Sequence, residues 1–103
     1  MAKRFSSRKH QDFVRTMPCS ICQSYPVEAH HLMKPWQGFR GTGLKSGDQN
    51  LIPLCNKHHR ELHMRGDEME YFNEQMGERT FGKMTAMRIW FQSPAYTKDI
   101  ADG

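Results

Sequence analysis

Two pairs of metal-ligand residues with the same short spacing constrain the fold of this chain more than any other feature. The first pair is Cys19-x2-Cys22, and the second is Cys55-x2-His58. Zinc takes four tetrahedral sulfur or nitrogen ligands, and this spacing lets both members of a pair reach one ion. The alternative, in which each thiol is a small buried hydrophobic group, is disfavoured because the two pairs match. The pattern predicts one structural zinc that stabilises the fold by on the order of ten kcal/mol.

The small size of the chain is consistent with a fold that depends on a metal. Its 103 residues fit one domain, and only 37% of them are hydrophobic, so the core is modest. Domains of this size often rely on disulfides or on a structural metal. Cysteines and histidines at short intervals favour the metal, and therefore a reducing cytoplasm. No apolar run is long enough for a membrane span, and the basic N-terminus lacks the apolar stretch of a signal peptide.

The charge of the chain suits a partner that carries phosphates. The net charge is +4, although a solvated basic surface would give the same value. Asp12 is the one acidic residue among the first fifteen, and it is outnumbered by Lys3, Arg4, Arg8, Lys9 and Arg15. This uneven start is explained equally well by a nucleic-acid contact and by a solvated basic tail.

The order of predicted elements is helix, strand, loop, strand, helix, followed by two more helices. A first helix over 8–17 ends at Pro18. Strands are predicted over 27–33 and 50–54, and Asn56 is the expected N-cap of the next helix. The methionines and aromatic residues after it are expected to pack in the core rather than to line a cofactor pocket. We divide the chain into a basic N-terminal segment (1–18), a core (19–66), a C-terminal helical extension (67–92) and a loose tail (93–103).

Four further histidines fall in the predicted first strand and in the helix after the second strand. His59 and His63 are four residues apart, so both lie on one helix face. His30 and His31 are neighbours on a strand and point to opposite faces. One of them can join the helix pair as a third metal ligand, which would leave coordination positions open for water and a substrate oxygen. The alternatives are four unrelated histidines or a second structural metal.

Together these segments resemble the HNH endonuclease family. The resemblance covers about residues 19–63 and is carried by the Cys-x2-Cys pair, Glu28-Ala29-His30-His31, Asn50-Leu51-Ile52-Pro53-Leu54-Cys55 and His58-His59-x3-His63. It implies an α+β fold, with a small ββα-metal (His-Me) finger held by a structural zinc and flanked by helices. The double histidine with His-x3-His is similar to the colicin nucleases. The loop and helical tail are similar to small phage and prophage HNH proteins, including recombination-enhancement nucleases.

The resemblance also implies a role for each matching residue. His31 takes the position of the general base, a neutral imidazole that removes a proton from water. His30, His59 and His63 would bind a catalytic divalent metal such as Mg²⁺, Mn²⁺, Ni²⁺ or Zn²⁺. Asn50 would brace the loop and orient the base. The exchange of His30 and His31 between base and ligand stays open at this point.

Two departures from the family pattern limit what the resemblance implies. His58 stands where the family usually has a fourth cysteine, which is a conservative change for zinc. The loop over 33–49 has its own length and composition, so the resemblance does not imply a DNA substrate preference.

DNA is the expected partner, bound mainly through its phosphates. The candidate phosphate contacts are basic side chains, each of which is explained equally well as a solvated charge: Arg40, Lys45, Lys57, Arg60 and Arg65. A phage or host recombination or packaging protein is a further expected partner, and a phage-encoded protein would act in the bacterial host cytosol.

Two competing interpretations involve no catalysis. A zinc-binding module that contacts DNA or protein would need the cysteines but would have no use for His31 or the His59–His63 pair. A degenerate HNH domain could be retained as an assembly component. The presence of all these histidines together favours the enzyme.

Overall fold

A two-stranded antiparallel sheet lies between helices on both of its faces. The computed structural model describes residues 5–38 and 45–96. Within these residues the elements are helix α1 (Arg8–Arg15), strand β1 (Val27–His31), a 3-10 turn (Asp48–Asn50), strand β2 (Leu51–Cys55), and helices α2 (Asn56–Arg65), α3 (Glu68–Met76) and α4 (Phe81–Gln92). The α+β class predicted from the sequence is confirmed.

The register of the sheet sets which cysteine and histidine positions lie opposite which residues of the neighbouring strand. Val27 pairs with Cys55 and His31 pairs with Leu51. The side chains of β2 alternate between the two faces. Ile52 packs in a cluster with Leu62 of α2, whereas Leu51 packs in a second cluster with residues of α1 and α4. All five residues of β2 are buried because helices cover both faces.

The predicted C-terminal extension packs directly on the rest of the fold. Phe72 of α3 and Ala86 of α4 belong to the same buried cluster as the strand residue Ile52. Gly82 allows α4 to approach closely, because a Cβ atom there would lie 2.7 Å from Phe72 Cε2 and 3.1 Å from Leu32 Cδ2. None of the helices that the structure describes is both long and apolar enough to cross a membrane.

Helix ends explain where the predicted boundaries differ from the observed ones. Asn56 is the first residue of α2 and not its N-cap, because Cys55 still has an extended backbone. Gly66 then ends α2 in the left-handed conformation, and the Asp67 side chain caps α3 by accepting from Glu70 N. The short 3-10 turn before β2 is absent from the prediction, which has a loop up to Gln49 and begins the second strand at Asn50.

The start of the predicted loose tail is packed. Ser93 is buried, and its hydroxyl lies 2.8 Å from Nδ1 of His10 in α1. Tyr96 contacts the rings of Trp90 and Phe91. Residues 97–103 lie outside the described part of the chain.

Candidate metal centres

The Cys-x2-Cys and Cys-x2-His pairs meet beside the β2–α2 junction. Cys22 Sγ lies 3.8 Å from Cys55 Sγ, and His58 Nδ1 lies 3.7 Å from Cys19 Sγ and 3.3 Å from Cys55 Sγ. A tetrahedral zinc with bonds of about 2.3 Å to sulfur and about 2.0 Å to nitrogen requires S···S and S···N separations of about 3.8 and about 3.5 Å. The four residues predicted as one ligand set therefore lie together and could hold a metal ion.

Backbone hydrogen bonds to Cys19 hold the turn that carries Cys19 and Cys22. The Ile21 amide donates to Cys19 Sγ at 3.4 Å, and Gln23, with φ of 66°, closes the turn by donating its amide to Cys19 O. Burial raises the pKa of the Cys19 thiol. Hydrogen bonds from Ser24 lower the pKa of the exposed Cys22 thiol to about 6, which favours the thiolate form that binds metal.

A second cluster is formed by three histidines from β1 and α2. His59 Nε2 lies 3.2 Å from His30 Nδ1 and 3.2 Å from His63 Nε2. The three ligand atoms all lie within 4.8 Å of one another. Imidazole nitrogens bound tetrahedrally at about 2.0 Å would stand about 3.3 Å apart, so the spacing fits one shared cation. His30 is buried and His63 is exposed, so the cluster is open to solvent on the α2 side.

Two glutamates contact the histidines of this cluster through their outer ring nitrogens. His30 Nε2 is 2.8 Å from Glu68 Oε1, and His59 Nδ1 is 2.6 Å from Glu28 Oε1. Burial lowers the pKa of His30, although Glu68 opposes this effect. The hydrogen bond from His59 lowers the pKa of Glu28. Both carboxylates contact the ring nitrogen that faces away from the cluster.

His31 lies on the opposite face of the sheet from His30. Its Nε2 is 2.7 Å from Asp48 Oδ1, and the other oxygen of this buried carboxylate accepts from Ser7 N and from Gln11 Nε2. Although burial opposes the shift, the hydrogen bonds from His31, Gln11 and Ser7 hold the pKa of Asp48 well below its usual range. The structure thus gives His31 a carboxylate partner that is tied to α1.

Asn50 joins the end of the 3-10 turn to the loop after β1. Its Oδ1 accepts from the Trp36 amide at 2.8 Å, and its Nδ2 donates to Gln37 O at 3.1 Å. The Trp36 indole donates to Gln49 O at 2.7 Å. These are bracing contacts, while the observed partner of His31 Nε2 is Asp48.

The candidate phosphate contacts differ in their surroundings. Lys45, Lys57 and Arg60 are exposed, the last two on α2 with the histidine cluster. Arg65 is also exposed, but its guanidinium donates to Glu74 at 3.0 Å, and this hydrogen bond raises its pKa. Arg40 lies outside the described residues.

Three acidic residues of the site are missing from the sequence-based prediction. Glu28 could have been found, because it is two residues before His30 and so shares its strand face. Glu68 is in the predicted extension, and Asp48 is in the predicted loop. Neither has a spacing pattern that relates it to a histidine.

The fold and site define a small α+β protein with a Cys3His cluster that could hold a metal ion, beside a second cluster of three histidines. The chain belongs to the family described as "Protein of unknown function (DUF968)", whose model matches residues 1–92. It is 41% identical over 61 residues, 59% of its length, to "Uncharacterized protein YdfU" of Escherichia coli (strain K12). The match spans 17% of the length of that relative. No solved structure matches the chain.

Proposed function

We propose that this protein is a metal-dependent HNH endonuclease that hydrolyses DNA phosphodiester bonds. The observation that carries the proposal is the convergence of ring nitrogens from His30, His59 and His63. The order β1, 3-10 turn, β2 and α2 supports a ββα-metal finger, since β1 supplies the first candidate ligand and α2 the other two, as expected for it.

The two clusters have different proposed roles. Cys19, Cys22, Cys55 and His58 supply four protein ligands, which completes a tetrahedral zinc shell and makes that site structural. The histidine cluster supplies three, which leaves positions for water and a phosphate oxygen. Three imidazoles suit Zn²⁺ or Ni²⁺ better than Mn²⁺ or Mg²⁺, which prefer oxygen ligands. A divalent cation bound there would stabilise negative charge on the phosphate and on the leaving 3′ oxygen.

We assign the general base to His31. Its imidazole takes a proton from the attacking water, and the Asp48 carboxylate at its Nε2 stabilises the positive charge that develops on the ring. Asp48 also holds the ring orientation, since Gln11 and Ser7 fix its second oxygen. The resemblance to the family implies products with 5′-phosphate and 3′-hydroxyl ends.

DNA is proposed to approach the exposed side of α2. Lys57 and Arg60 project from the helix that carries His59 and His63, so they can contact phosphates next to the scissile bond. Arg65 contributes only if it leaves Glu74.

Plasmid cleavage by the zinc-loaded protein tests the proposal. Nicking is expected with Ni²⁺ or Zn²⁺, less with Mn²⁺ or Mg²⁺ at equal concentration, and none with EDTA. Arg79→Gln, at an exposed site on the loop before α4, is the matched control and should cleave normally. Protein that retains its zinc, binds DNA and cleaves with no metal would instead be a non-catalytic zinc-binding module.

A further inference from the structure

Glu68 is a buried carboxylate on α3, outside the β1–β2–α2 unit that carries the three histidines. One of its oxygens accepts from His30 Nε2 at 2.8 Å and from Met33 N at 3.1 Å. The other accepts from Lys34 N at 2.9 Å. Burial of a carboxylate is costly unless donors surround it, and here two backbone amides and one imidazole do so. Glu68 thus connects α3 both to a candidate ligand and to the loop that follows β1.

The contacts of Glu68 with His30 and of Glu28 with His59 determine which ring nitrogen of each histidine carries the proton. A carboxylate accepts hydrogen bonds and donates none, so the nitrogen that faces it must bear the hydrogen. In a neutral ring this leaves His30 Nδ1 and His59 Nε2 as bare acceptors. These two atoms lie 3.2 Å apart, where two lone pairs repel each other unless a cation lies between them. The carboxylates therefore prepare the two rings for a metal.

We infer that Glu68 is a positioning residue for the histidine metal centre, because it fixes His30 in the tautomer that presents a bare Nδ1 to the metal. The inference rests on the proposed function, in which this cluster binds the catalytic cation. Hydrogen bonds from metal-binding histidines to carboxylates fix the ring and raise the basicity of the ligand nitrogen. The helix predicted as an extension is then part of the metal centre.

Glu28 provides an internal comparison, because it plays the same part for His59 from an exposed position. The side chain of Glu28 is 50% exposed and that of Glu68 is 3% exposed. Water can replace the Glu28 carboxylate, whereas nothing can readily replace Glu68 in its buried position. The loss of Glu68 should therefore weaken metal binding more than the loss of Glu28.

Nickel titration calorimetry on the full chain, loaded with one zinc, tests the inference. Glu68→Gln is expected to weaken nickel binding about 10- to 100-fold, and Glu28→Gln less than that. Glu74→Gln, at an exposed position on the same helix, should leave nickel affinity unchanged. A folded, zinc-loaded Glu68→Gln protein with wild-type nickel affinity would overturn the inference.

A measurement on the wild-type chain covers the case in which Glu68→Gln does not fold. Nitrogen-15 NMR of the histidine rings, with zinc but no second metal, should show His30 protonated at Nε2 and bare at Nδ1. His30 protonated at Nδ1 would contradict the inference. Cleavage separates it from the proposed function: weakened nickel binding in Glu68→Gln, with no wild-type cleavage, would support Glu68 and overturn the nuclease. Unchanged nickel affinity with normal cleavage would do the reverse.

Discussion

Helix α2 contributes side chains to both the Cys3His cluster and the histidine cluster, but the first has four candidate ligands and the second has three. His58 and His59 are consecutive residues of α2, yet His58 Nδ1 lies against Cys19 and Cys55 while His59 Nε2 lies against His30. Neighbouring residues on a helix point about 100° apart. One helix can therefore supply a ligand to a site closed by four protein groups and another to a site that has only three.

The comparison shows that the surroundings of the ligands differ as much as their number. In the Cys3His cluster, called the closed cluster below, the Ile21 amide donates to a cysteine sulfur. In the three-histidine cluster, called the open cluster below, Glu68 and Glu28 contact the ring nitrogens that face away from the other histidines. We expect the closed cluster to determine whether the chain folds, and the open cluster to determine what the folded chain does.

The largest expected effect is on the stability of the fold, which should depend on the closed cluster and not on the open one. Cys55→Ser removes a proposed zinc ligand of the Cys3His cluster, and structural zinc contributes on the order of ten kcal/mol in small domains. This is comparable to the whole free energy of unfolding of a typical domain. We expect a zinc-free, unfolded chain by elemental analysis and circular dichroism. His63→Ala, in the open cluster, is the control and should stay folded with one zinc. A folded, zinc-free Cys55→Ser protein would refute the structural role.

The next effect separates the base from the ligands. His31→Ala should reduce the cleavage rate roughly 10²- to 10⁴-fold, the usual contribution of acid–base catalysis. Zinc content, nickel affinity and DNA binding should remain, because His31 holds neither metal in this assignment. If His31→Ala protein cleaves normally but requires more metal, His31 is the ligand and His30 the base.

A smaller effect is expected for the pH dependence of the free energy of unfolding, through His10, which belongs to neither cluster. Burial lowers the pKa of His10 to about 4 from its ordinary value of 6.5, with Asp48 acting in the opposite direction. The unfolded chain therefore binds the proton first, and stability falls as pH drops below 6.5. Between pH 6.5 and 5 the expected loss is about 1.5 kcal/mol. Urea unfolding of zinc-loaded wild type and His10→Gln checks this, and equal pH slopes for the two would contradict it.

The smallest effect concerns DNA binding on the open side of α2. Log affinity should fall with log salt, and Lys57→Gln should reduce that slope by about one unit if Lys57 contacts a phosphate. Arg65→Gln is the comparison, since its guanidinium is already bonded to Glu74, and it should change the slope less. Binding that does not respond to salt would exclude the electrostatic interpretation.

The grouping of the candidate ligands could be predicted from the sequence because their spacing is local. Cys-x2-Cys, Cys-x2-His and His-x3-His each follow from a turn or a helix face. Strand alternation also predicted that His30 and His31 point apart. The α+β class and the four helices of the described residues were predictable for the same reason, since each depends on short-range pattern.

The acidic hydrogen-bond partners of the histidines could be identified only from the tertiary structure. Glu68 contacts His30 across 38 residues, and Asp48 contacts His31 across 17. No periodicity relates these positions, and an isolated acidic residue normally indicates a solvated surface. Ser93 shows the same limit, because its hydrogen-bond partner His10 lies 83 residues away in the sequence.

The central claim is that the open cluster is a catalytic metal centre distinct from the closed one. The most direct test is the plasmid cleavage rate as a function of nickel concentration, for zinc-loaded wild type and His63→Ala. The wild-type rate should rise to saturation, and the His63→Ala curve should shift to higher nickel and recover partly there, with one zinc retained in both. Wild-type protein that binds nickel in the histidine cluster and cleaves no DNA at any concentration would contradict the claim.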